Sequence, residues 1–390
     1  MCFADDIVIF ARGDVGSLQL IMQVVEKFTN STGLQMSIPK SKLFVGGVDG
    51  ITKGNLQQAT GFSLGQLPVK YLGVPLNSRK LTINNCQGLL DRMTVRINHW
   101  CSRLLSYAGK LQLVRSVMFA ITNYWMQIFL LPKKIIRLIE SMCRRFIWAG
   151  NDEKSKRAPV AWDHVCDSIA NGGRNIIALG EWNKATIGKL LWNLSEKKDK
   201  MWVKWMHIYY LKNGVIEEYQ PNNNSSWLMK SMCKHKAELM SNDAWVEFQA
   251  NNMYSTRRMY RHLRGDKPRV DWRRLMYINM ARPRVVFTLW LENRSHLFFE
   301  CAITKKIWKE ILNRLGLGYI HIDWNEHTAW QQAKGKGNKM RIFKAALAET
   351  KYGHYSSDCP EKQKNQETDA KFAKHEEEEE MLLIVTTRDE

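Results

Sequence analysis

The chain has 390 residues, 45% of them apolar and 25% charged, so it can bury cores in about two to four domains. Its 58 Lys+Arg against 38 Asp+Glu leave a net charge of +20, which predicts a polyanionic partner, nucleic acid first. No apolar run approaches the ~20 residues of a membrane span and no signal-peptide pattern opens the chain, so neither a membrane partner nor secretion is expected.

Residues 2–11 read as apolar–turn–apolar, with Asp5 and Asp6 between the flanking segments and a β-branched run, Ile7-Val8-Ile9-Phe10, after them. That pattern predicts a tight hairpin. The first strand is very short, so the hairpin is expected to be the remnant of a larger domain. Residues 17–31 carry Leu18, Ile21, Met22, Val25 and Phe28 at helical spacing, and Gly33 comes next as a C-terminal cap. Residues 34–47 predict another strand pair, and residues 51–60 a short helix. Residues 67–76 predict an extended segment punctuated by two prolines.

From about residue 82 the chain turns helical. Stripes of 3.6 period run over 85–100, 103–123 and 132–148, and continue at 182–195 and 201–211. Residues 222–226 (NNNSS) form a polar linker. Helical patterns return at 226–240 and 302–315. Residues 333–339 read as a Gly/Lys joint, and little periodicity remains after residue 350. The expected fold class is α+β, mostly α: a small β-hairpin, many helices and a disordered acidic C-terminus.

The charge is uneven. Residues 349–390 hold six Lys+Arg against twelve Asp+Glu, so net −6, which leaves +26 on the first 348. Glu376 to Glu380 is a run of five acids, a composition that stays solvated. The eight cysteines are scattered with no Cys-x2-Cys, which argues for a reducing nuclear or cytoplasmic compartment. Trp100, Trp125, Trp148, Trp192, Trp202 and Trp205 sit near Lys or Arg. Such residues can stack on single strands, but packing inside amphipathic helices is the favoured reading for each. No Ser-His-Asp order, nucleophile elbow or P-loop is recognisable.

Adjacent carboxylates at a hairpin tip suit two-metal phosphoryl transfer, which needs oxygen ligands holding ions about 3.5–4 Å apart; alone, an Asp-Asp pair is more often a plain turn. Phe3-Ala4-Asp5-Asp6 resembles the F/Y-A-D-D motif of reverse transcriptases. The downstream sequence resembles plant non-LTR (LINE-type) retrotransposons in order: Gly13-Asp14, Phe28-Thr29-Asn30-Ser31-Thr32-Gly33-Leu34, Lys40-Ser41-Lys42, Leu67-Pro68 and Tyr71-Leu72-Gly73-Val74-Pro75-Leu76. Leu105-Ser106-Tyr107-Ala108-Gly109-Lys110, Tyr124-Trp125, Phe146-Ile147-Trp148-Ala149-Gly150 and Pro159-Val160-Ala161-Trp162 continue it. The likeness covers roughly residues 1–345.

The resemblance implies that Asp5 and Asp6 are Mg²⁺-binding palm acids. It also implies a third carboxylate from an earlier strand, in a motif that would precede residue 1. Lys40 falls at the end of the palm. Tyr71 and Gly73 lie near the palm–thumb junction that holds the primer. Phe3 either packs beneath the site or helps to discriminate the incoming sugar. The implied layout is palm remnant 1–50, thumb and connection helices 51–215, and a degenerate zinc-binding-like domain 216–345. A half CCHC knuckle with an acidic tail would occupy 346–390. The implied partner is an RNA/DNA template–primer.

Departures from the pattern matter. Ser168-Ile169-Ala170-Asn171-Gly172-Gly173-Arg174-Asn175 stands where a Gly-Gly-Leu-Gly stretch is usual, and Arg174 and Asn175 suggest relaxed selection or a shifted reading. His296 and Cys301 resemble the end of a zinc site, and His354 and Cys359 the back half of a zinc knuckle. Ala346 and Glu349 stand where that knuckle would have cysteines. A structural zinc needs four ligands, so Zn²⁺ is not expected at either. The expected function is that of a fragment of an RNA-directed DNA polymerase, inactive alone. The alternatives are a non-enzymatic nucleic-acid-binding remnant or a pseudogene product.

Overall fold

The computed structural model describes residues 2–3, 6–76, 79–101, 105–148, 158, 160–212, 214–223, 225–270, 290, 306, 309–310 and 313–314. The chain divides into two compact units. One comprises residues 1–88 and 220–234, the other 89–219 and 235–390. The first unit is therefore discontinuous in sequence. The class is the expected one, α+β and mostly α. No helix among the described residues is long and apolar enough to cross a membrane.

The first unit opens with β1 (Cys2–Phe3) antiparallel to β2 (Asp6–Ile7). Helix α1 (Val15–Thr32) starts where the Asp14 carboxylate accepts from Ser17 N–H, 2.7 Å, and stops at Gly33, whose φ of 73° only glycine adopts freely. The strand pair expected within 34–47 does not form. Ile38–Lys40 is instead a 3-10 turn with Pro39, which has no N–H to give a ladder. β3 (Lys42–Leu43) finds its partner later in the chain, pairing parallel with β4 (Ser63–Leu64). Between them lies α2 (Gly50–Thr60), capped by Asp49 and packed on α1.

The extended segment expected at 67–76 is a hairpin, β5 (Val69–Tyr71) against β6 (Val74–Leu76). Leu72 and Gly73 form its turn with φ of 49° and 79°, the sign pattern of the type I′ turns that match strand twist.

The second unit is helical. It holds nearly all of α3 (Gln87–Cys101), then α4 (Tyr107–Leu113), which runs through a π turn at Val114–Met118 into α5 (Phe119–Met126). Helices α6 (Lys133–Trp148), α7 (Trp162–Cys166) and α8 (Leu179–Ser195) come next. Then come α9 (Met201–Met206), which passes into a second π turn at His207–Leu211, and α10 (Trp227–Met240), which spans the unit boundary. Helices α11 (Asp243–Asn251) and α12 (Thr256–Arg264) are additions that periodicity does not predict. The pattern at 302–315 falls largely outside the described residues, as does the stretch at 333–339.

α8 is the hub, with α5, α6 and α12 packed against it. Asn183 on α8 is fully buried. Its Nδ2 donates to the carbonyls of Met126 and Phe129 (2.9 and 2.8 Å), and its Oδ1 accepts from Leu131 N–H (2.7 Å). One amide thereby satisfies a whole loop that turns inward. Further along, Trp192 meets Trp245, Phe248 and Tyr254 at ring separations of 5.5, 6.3 and 6.2 Å.

Candidate nucleic-acid interface and acidic hairpin

The hairpin register pairs Cys2 with Ile7 and Phe3 with Asp6. Asp6 thus opens β2 directly across from Phe3, while Asp5 lies outside the described residues. Tyr71 and Gly73 are brought to one turn, Tyr71 as the last residue of β5 and Gly73 as the second turn residue. Lys40 closes the 3-10 turn on a separate, exposed segment. His296, Cys301, His354 and Cys359 lie outside the described residues. Among the described residues no group of three or more His, Cys, Asp or Glu side chains is gathered to hold a metal.

The cationic surfaces are better defined. α6 buries Ile135, Ile139, Cys143, Phe146 and Ile147, spaced at three and four residues, and so turns Lys133, Lys134, Arg137, Arg144 and Arg145 to solvent. The one acid of this helix is Glu140. Burial raises its carboxyl above the ordinary value of 4.5, against the opposing pull of a hydrogen bond from the Leu179 backbone and of the Arg144 charge. α6 therefore presents five exposed cations beside one half-buried acid, Glu140, which feels the Arg144 charge. Lys110 on α4 stands near it, its ammonium 5.5 Å from the Tyr107 ring and 6.0 Å from that of Phe146.

Other cations are committed to structure. Arg264 donates to Asp163 and Asp167, each at 2.5 Å, and Lys267 reaches the same two carboxylates at 2.9 and 2.7 Å. Asp167 is buried, so this network ties the end of α12 and the chain after it to α7 and the residue that follows α7, rather than offering charge outward. The unusual Gly-Gly-Arg-Asn stretch fits the same region. Asn175 holds φ at 56°, a left-handed position that Asn tolerates where Gly is usual. The buried Arg174 guanidinium lies 5.6 Å from the Trp290 ring, and Trp290 Nε1 donates to the Gly172 carbonyl at 2.5 Å. Both departures thus have local packing reasons that the sequence pattern alone does not reveal.

No protein-family model matches the chain. Two proteins of Arabidopsis thaliana are similar to it. One, named "Putative ribonuclease H protein", is 30% identical over 154 residues, 40% of this chain and 25% of that protein. The other, named "Uncharacterized mitochondrial protein", is 25% identical over 123 residues, 31% of this chain and 79% of that protein. The match to the first therefore spans a quarter of its length. Together with the order of motifs along the chain, these likenesses are consistent with a retroelement-related protein of plant kind.

Of the tryptophans near basic residues, Trp100, Trp125 and Trp192 are buried as expected of core packing, and Trp148 and Trp202 are partly so. Trp205 is the exception at 47% exposed.

Proposed function

We propose that the chain is the palm-end and thumb part of a retrotransposon RNA-directed DNA polymerase lineage, and that by itself it grips a template–primer without extending it. The observation that carries this is the α6 face, where five cations stand outward on a rigid, well-packed helix. Cations at that density neutralise phosphates and release counterions. The antiparallel pairing of Phe3 with Asp6 supports a polymerase ancestry, because the resemblance places this sequence on a hairpin. For Mg²⁺ the fit is partial. Asp5 and Asp6 are suitable hard oxygen donors, but three metal-binding side chains are not gathered among the described residues.

Affinity for a duplex measured against salt tests the grip. The log–log slope is expected at about −4 or steeper if the five α6 cations meet phosphates, at about 0.9 per contact. Arg137→Gln with Arg144→Gln makes the slope shallower by about 2. Asp5→Asn with Asp6→Asn leaves affinity unchanged. Asp5-dependent primer extension by the chain alone would overturn the non-extending part of the proposal.

A further inference from the structure

α9 and the π turn after it carry an outward face of unusual composition. Val203 and Leu211 are buried, and His207 Nε2 lies 3.0 Å from the Leu194 carbonyl, so the inner side is anchored in the second unit. The outer side should then be polar. It holds instead Met201, Trp205, Ile208 and Tyr209, which are 84%, 47%, 65% and 64% exposed. The rings of Trp205 and Tyr209 lie 5.1 Å apart and those of Trp205 and Tyr210 5.5 Å apart. The π turn brings two successive tyrosines within reach of one tryptophan, and π turns are frequent at functional sites.

The sequence on either side of these rings is rich in lysine. Lys197, Lys200, Lys204 and Lys212 are exposed and Lys198 is partly so, against only Glu196 and Asp199 in the same stretch. Lys204 pairs with Asp199 at 2.6 Å, but both side chains are mostly exposed, and a pair of that kind holds its partners weakly. Lys198 reaches Asn252 at 3.3 Å. An apolar partner protein would suit the rings but not the positive border. A duplex would suit the lysines but keeps its base faces stacked inside.

We propose that residues 197–212 form a platform for single-stranded nucleic acid. Unpaired bases stack on Trp205 and Tyr209, and the flanking lysines track the phosphates. This rests on the proposed nucleic-acid-binding function and adds to it a second surface with a different preference from the α6 face. Fluorescence anisotropy with the full chain tests it, using labelled oligo(U) and oligo(dT) of about twelve nucleotides, within the usual site range, and a duplex probe.

Trp205→Ala and Tyr209→Ala are each expected to weaken binding of both single strands by about tenfold. Duplex affinity should stay put, and Trp205→Phe, which keeps a ring, should retain most of the affinity. Single-strand affinity unchanged in both alanine variants would overturn the platform while leaving the α6 reading intact. So would a parallel loss on single strand and duplex. A wild-type chain that binds none of the three probes would overturn both readings together.

Discussion

Asn175 and Gly173 carry much of the loop that joins α7 to α8. A Cβ on Gly173 would overlap the Asp167 carbonyl oxygen, and backbone cannot swing aside as a flexible side chain does. Gly173→Ala is expected to cost about 1–3 kcal/mol. Asn175→Val costs about 1–2 kcal/mol for its left-handed backbone, while Asn175→Gly is near neutral; urea unfolding midpoints measure all three. The helix before this loop sets a pH dependence. Hydrogen bonds from Arg264, then Lys267, hold the Asp163 carboxyl below its ordinary 3.8. A depressed carboxylate stabilises fully above that ordinary value, and its contribution is lost as pH falls through the lower, folded-state value. Asp163 is 66% exposed, so the loss is under about 1 kcal/mol. Wild type should lose stability relative to Asp163→Asn below about pH 4 and match its trend above that. None of these partners is legible in the sequence, because Asp163 and Arg264 meet across 101 positions. The sequence shows only that Arg174 and Asn175 break a pattern.

At the scale of elements, legibility tracks locality. Helix α1 is legible because its stripe, its Asp14 start and its Gly33 stop all lie within or beside the element. The hairpin at 2–7 is legible as an antiparallel pair, but Asp6 is a strand residue opposite Phe3 rather than part of the turn, and the expected strand at 7–10 keeps only Ile7. The strand pair predicted at 34–47 fails because Leu43 pairs with Leu64, a partner that no local pattern announces. The 69–76 hairpin reads only as extended chain, since Leu72-Gly73 is not the Asn-Gly or Asp-Gly that usually signals such a turn. Helices α11 and α12 are nine residues each, too short for a periodicity to stand out, and α12 is largely cationic. Yet α12 packs along α8, and Tyr254 between α11 and α12 donates to the Ala185 carbonyl at 2.6 Å. The aromatic cluster around Trp192, 2% exposed, is therefore the seam that holds this late pair of helices. Trp192→Ala is expected to lower stability by about 3–5 kcal/mol, read as a shifted denaturation midpoint, with Trp192→Phe costing less.

For the molecule as a whole, the net +20 divides into +26 on the first 348 residues and −6 on the rest. Acids carried on the same chain compete with phosphates for the cationic faces. Removing residues 349–390 is expected to tighten duplex binding at low salt, with the difference vanishing as ionic strength rises and the Debye length shrinks; titrations at two salt concentrations check it. The order of the units along the chain has a consequence of another kind. Residues 1–88 share their unit with 220–234, so during synthesis the first unit leaves the ribosome incomplete. At roughly 5–20 residues per second, its closing segment emerges about 7 to 26 seconds later. Throughout that interval residues 89–219 of the second unit are being made in between, and the opening hairpins must wait for the piece that finishes them.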